Sequence, residues 1–225
     1  MLAAVQLLVG VERTAKLHLE RRLLNTRAAQ ESAKERQRIE AASRLLLEQP
    51  KALQRLSERR RTQISAAVQA AADFAAAPPD SAGELLRESE ALAPRLGFVS
   101  TALAGLSTDP ARAAQLDLLA RAGSSALRIG KFNLAAAAGS PRAELRVSAT
   151  QALTEFSAAL QSVGEQDLQA GQRRELQLVR HQWTLFIAAL GSDGLARDAQ
   201  ALADIASTTD RMAETLASMA RRGTA

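Results

Sequence analysis

Five cations are spaced in this chain so that they could hold an anion. Arg36 and Arg38 lie in the run Glu35-Arg36-Gln37-Arg38-Ile39-Glu40-Ala41-Ala42-Ser43, and Arg121, Arg128 and Lys131 lie close together further on. A guanidinium presents a planar fork of donors that matches the edge of an oxyanion or carboxylate. With helical spacing, Arg121, Ser125, Arg128 and Lys131 share one face. That strip could take an anion or an acidic partner helix, although such a strip is usually just a solvated face. Arg38 belongs to the set Leu24, Glu31, Arg38 and Leu45. Residues seven apart drift by only about 20° per step, which places Arg38 near an inward seam. The alternative is that it snorkels and pairs locally with Glu35 or Glu31.

Other chemistry finds little support. With no cysteine there is no disulfide framework, thiol nucleophile or zinc ribbon. His18 and His181 stand alone, and a metal site needs more ligands than one imidazole. Asp210 and Glu214 are an acidic pair four apart with no second catalytic group beside them. No Ser-His-Asp set, phosphate loop or H-E-x-x-H arrangement is recognisable. The expectation is a protein that is not an enzyme and uses no metal or cofactor. Trp183, the single tryptophan, falls at helical spacing with Phe186 and Leu190 and is expected in the core.

The net charge of +5 is unevenly spread: residues 1–62 hold 14 Lys/Arg against 7 Asp/Glu, the remainder 15 against 17. A basic first third suggests nucleic acid, anionic lipid or an acidic partner, or simply a solvated long helix. Arg59-Arg60-Arg61 is the strongest hint of nucleic acid, but no aromatics are interleaved to stack on bases, so nucleic acid is the least favoured partner. No transmembrane segment is expected. The apolar start, Leu2 to Val11, ends at Glu12 and Arg13, whereas a span needs about 20 residues. It lacks the marks of a secretory signal and reads as the tail of a lost membrane anchor or as the first turns of helix one.

The elements that must position these residues are helices. Alanine, leucine and arginine dominate, and aromatics make up 3%; such a mix favours helix almost throughout. Pro and Gly punctuation predicts seven helices at roughly 3–49, 51–76, 81–106, 110–138, 141–163, 165–190 and 194–220. Ser140 before Pro141 reads as an N-cap followed by Pro at the first helical position, and Asp109-Pro110 repeats that logic. Apolar stripes support the later helices: Leu145, Ala149, Ala152, Phe156, Ala159 and Val163; Leu176, Val179, Trp183, Phe186 and Leu190; Leu195, Ala199, Leu202, Ile205, Thr209, Met212, Leu216 and Met219. Helix 110–138 instead carries a small-residue seam through Gly123, Ala126 and Gly130, which would let a neighbour approach closely. The predicted fold is all-α, with antiparallel helical bundles and short loops.

Three segments carry a family resemblance: Leu127-Arg128-Ile129-Gly130-Lys131-Phe132-Asn133-Leu134, then Arg180-His181-Gln182-Trp183-Thr184-Leu185-Phe186, then Ser207-Thr208-Thr209-Asp210-Arg211-Met212. In order and spacing they resemble the PilJ-type domain of the type IV pilus chemotaxis transducer, which is similar to the periplasmic domains of nitrate/nitrite sensors. The family opens each unit with a motif close to A-G-R-Q-R-M-L-S-Q-R. Residues 35–43 resemble its first copy, and Ala120-Arg121-Ala122-Gly123-Ser124-Ser125-Ala126-Leu127-Arg128 its second, 85 positions later. The resemblance implies two tandem units, 1–108 with a long first helix and 109–225.

In the related sensors the arginine before the motif's Met holds a small oxyanion, one from each subunit of a dimer. Here that arginine is Arg38 in the first copy, while Gly123 takes its place in the second; Ala41 and Ser43 replace the motif's serine and closing arginine. The resemblance therefore implies a non-enzymatic sensory module, periplasmic and homodimeric. Its ligand would be a small anion held by Arg38, with Arg36, Arg121, Arg128 and Lys131 as further candidates, and its partner a signalling or pilus-system protein. The alternative is a structural or adaptor bundle that has lost ligand binding.

Overall fold

Between Val11 and Gln49 the sequence has neither Gly nor Pro, and one continuous helix is the natural expectation. The computed structural model, which describes residues 1–24, 28–48 and 53–222, shows two helices instead: α1 (Leu2–Leu24) and α2 (Ala28–Leu47). They run antiparallel, with Gly10 against Ile39 and Arg13 near Glu35. This overturns the single helix 3–49. The remaining helices are α3 (Glu58–Ala76), α4 (Ala82–Ala104), α5 (Pro110–Ala137), α6 (Arg142–Gly164), α7 (Ala170–Ala189) and α8 (Ala199–Arg222). Among the described residues there is no strand, only an isolated bridge between Leu190 and Ala196. The all-α expectation holds, and no described helix is long and apolar enough to cross a membrane.

Local chemistry sets the ends. Ser57 and Ser81 cap α3 and α4 by accepting from the backbone N–H groups of Arg60 and Glu84, and Asp109 caps α5 through Arg112, with Pro110 in the first turn. The Ser140 cap predicted for α6 does not form: Pro141 occupies that position without a side-chain bond. Ser140 instead helps close α5. Its N–H donates to Ala135 and that of Gly139 to Ala136, with Gly139 at φ 93°. This is the paired arrangement that ends helices on a left-handed glycine.

α1 and α5 are buried nearly all round, and α5 packs against α1, α4, α6 and α8. The small-residue seam does what its residues suggest. A Cβ on Gly130 would stand 2.6 Å from Thr209 Oγ1 and 2.8 Å from Lys16 Cε, so α1 and α8 close on α5 there. The predicted stripes of α6, α7 and α8 face inward, apart from half-buried Ala159 and exposed Ala199. Trp183 is a core residue, edge-on to Phe156 at 4.6 Å and stacked on Phe186 at 5.5 Å. Leu2 to Val11 form the first turns of α1 and, apart from exposed Gln6, are buried or half-buried, most of them in a core that runs from Ala3 to Ala220.

Candidate functional site: an arginine-lined groove and a buried ion network

A helix buried on most sides must satisfy its inward polar residues internally, and α1 and α5 carry several. Lys131 on α5 is fully buried; its Nζ donates to Glu12 Oε2 of α1 at 2.6 Å, to Glu90 Oε1 of α4 at 2.6 Å and to Ser89 Oγ at 2.9 Å. Arg128, one turn earlier, grips Glu90 with two nitrogens and reaches Glu155 of α6. One network therefore ties four helices together. Burial pushes the Glu12 carboxyl above the usual carboxylate range, with Lys131 pulling it back. Burial acts on Glu90 as well, but Lys131 and Arg128 outweigh it and hold that group below the usual range. Lys16 of α1 makes a second buried link, to Asp210 of α8 at 2.7 Å and Glu20 at 3.1 Å.

These contacts correct the shared basic strip. Lys131 points inward and Arg128 is nearly buried, so neither lies on a solvated face. Both are neutralised by carboxylates from other helices. Arg121 stays at the surface and pairs with Asp117 at 2.7 Å, while Asp117 also accepts from Ser100 at 2.7 Å. Arg121 and Arg128 line a cavity of about 600 Å³ between α4, α5 and α6, beside Pro94 and Gly97. The reason the strip failed is that α4 and α6 flank α5 and supply Glu90 and Glu155, which periodicity within α5 cannot reveal.

The first motif copy splits across two places. Leu24, Glu31, Arg38 and Leu45 do not form an inward face: Arg38 is 52% exposed and Leu45 50% exposed. The chain reverses between α1 and α2, so α2 turns Glu35, Ile39, Ala42 and Leu46 inward instead. Arg38 pairs locally with Glu35 at 3.2 Å, the alternative its spacing left open. It nonetheless stands at the rim of a groove of about 300 Å³ between α1, α2 and α8. The floor is apolar, made by Leu2, Val5, Val9, Ala217 and Ala220; the walls carry Arg13, Arg38, Arg221, Glu35 and Glu214. Arg13 donates to Glu214 at 3.2 Å and lies 3.9 Å from Glu35. Burial raises the Glu35 carboxyl against the pull of Arg13 and Arg38. Burial also acts on Glu214, but Arg13 and Arg221 overcome it and hold that group low. Arg36 faces elsewhere, 3.6 Å from Glu40, beside a separate cavity.

Of the five candidate cations, the structure brings Arg128 and Lys131 together on Glu90 and sets Arg121 beside Arg128 on the wall of one cavity, while Arg36 and Arg38 lie apart from these and from each other. Arg13, Glu12 and Glu90 carry much of the geometry but were not singled out by sequence, whereas Glu35 was named as a local partner of Arg38. Their one visible signal is the placing of Glu12, Arg13 and Lys16 directly behind the apolar run of α1. No family model, curated protein or solved structure matches the chain.

Proposed function

We propose that the protein is a non-enzymatic helical ligand-binding module of the sensory, PilJ-like kind, and that the groove between α1, α2 and α8 is where it receives its ligand. One observation carries this: Arg13, Arg38 and Arg221 stand together around an apolar floor. A small anion suits such walls, and the floor favours a short-chain carboxylate over nitrate or nitrite. Three helices meet at the groove, so a bound anion would favour one packing of α1 against α2 and α8 over another, and a small shift of this kind is how helical interfaces relay a signal. The reading extends, as the resemblance does, to a homodimer in the periplasm whose output passes to a signalling or pilus-system partner.

A thermal-shift panel of nitrate, nitrite, acetate and butyrate tests the reading. A ligand at a hundredfold its Kd adds about 2.7 kcal/mol, which in a chain of this length raises Tm by roughly 2–4 °C per kcal/mol. Wild type is expected to respond to butyrate and Arg38→Ala to lose the response. A panel without effect on wild type removes the groove as an anion site.

The structural or adaptor reading is favoured by a different observation. Arg121, Arg128 and Lys131 are all engaged by carboxylates of this same chain, and the last two join helices rather than await a ligand.

A further inference from the structure

The cavity beside Arg36 lies on the other side of α2 and belongs to neither arrangement above. It measures about 340 Å³ and opens between α1, α2 and the end of α3. Two side chains of α1 line it in an unusual state. His18 and Thr14 are 7% and 6% exposed, and His18 Nε2 and Thr14 Oγ1 are occluded with no hydrogen-bond partner. Buried polar atoms are nearly always satisfied, so each such exception calls for a partner. Arg21, also on the cavity wall, makes no hydrogen bond or ion pair among the described residues, and Arg36 has only its 3.6 Å contact to Glu40. The one carboxylate on the wall, Asp80, has a fully exposed side chain 3.9 Å from His18 Nε2.

We propose that this cavity is a binding site for a small dianionic oxyanion such as inorganic phosphate, held by Arg21 and Arg36 at the rim, with Thr14 and His18 lining it further in. Two guanidinium groups against one solvated carboxylate leave a net positive wall, and a phosphate offers acceptor lone pairs to both guanidinium forks. The site does not rest on the groove at Arg38 and stands or falls separately.

The charged groups facing His18 are Arg21 and Arg22 from its own helix and Asp80 from the connection before α4, with Arg36 of α2 across the cavity. Burial first, then Arg21 and Arg22, hold the imidazole below its ordinary pKa, and Asp80 offsets them in part. An anion seated beside it reverses that balance by favouring the protonated ring.

The chain has only two histidines, His18 and the exposed His181, so proton NMR of the imidazoles reads the site directly. Phosphate is expected to raise the His18 pKa by about one pH unit relative to chloride at matched ionic strength, with His181 unmoved. Arg21→Ala combined with Arg36→Ala, both at exposed positions, should abolish the displacement. Phosphorus-31 line broadening of added phosphate supplies a second readout, lost in the same double variant. An equal displacement at His181, persistence of either signal in the double variant, or the absence of both signals from wild type would overturn the site.

Discussion

Lys131 places an ammonium where no water reaches it, and three oxygens from α1 and α4 stand around it. Removing one member of a buried ion pair leaves the other charged and unpaired, which costs about 3–5 kcal/mol. Lys131→Met is therefore expected to destabilise by that amount in urea unfolding. Adding Glu12→Gln should recover a large part of the loss, because Arg128 still holds Glu90. Glu35 makes a pH prediction of opposite sense to the common carboxylate case. Its folded-state pKa is raised, so the folded chain keeps a proton that the unfolded chain has released. Its contribution is fully present below the ordinary carboxylate pKa and is lost as pH rises through the raised value. Glu90 and Glu214, held low, contribute stability above the ordinary carboxylate pKa that disappears as pH falls through their own. Unfolding followed against pH should show Glu35→Gln flattening only the loss on the alkaline side of the carboxylate range.

Helices with one apolar face were legible from spacing alone. α6, α7 and α8 carry Phe156, Trp183 and Met212 on stripes that a 3.6-residue period detects, and those residues are buried. α1 and α5 hide from the same test, since a helix buried all round has no polar face to set its phase. The change of direction between α1 and α2 was hard to read for a related reason: no Gly or Pro marks it, and the only break signal is the short pair Asn25-Thr26 in a run of helix formers. The candidate site fared worse than the fold, because Glu90, Glu155 and Glu214 reach their arginines from other helices. Glycine substitutions probe the packing of elements directly. Gly130→Ala drives a methyl against Thr209 and Lys16, and overpacking of this kind costs about 1–3 kcal/mol. Gly97→Ala in α4 meets nothing within 4 Å and should stabilise by roughly 0.5–1 kcal/mol through helix propensity. Equal effects at the two positions in thermal unfolding would contradict the close approach of α1 and α8 to α5.

Across the whole molecule, two buried helices hold the assembly by charge as well as by apolar area, and the remaining helices dress them. The excess of positive charge in the first third is spread over α1, α2 and α3 rather than gathered into one strip; Arg59, Arg60 and Arg61 lie exposed on the first turn of α3. Without interleaved aromatics such a turn offers only phosphate contacts, so binding to random duplex DNA is expected to be weak and lost at physiological salt, and no binding even at low salt removes a nucleic-acid partner. The groove at Arg13 and Arg38 lies where three helices fail to close fully, and it joins α1 to α8.

Backbone hydrogen exchange with and without butyrate tests the central claim most directly, because it reports both whether a ligand binds and which helices feel it. The account predicts slowed exchange along α1, α2 and α8 around Arg13, Arg38 and Glu214, abolished in Arg38→Ala. Unchanged exchange at saturating butyrate, or protection confined to α6 and α7, would contradict it.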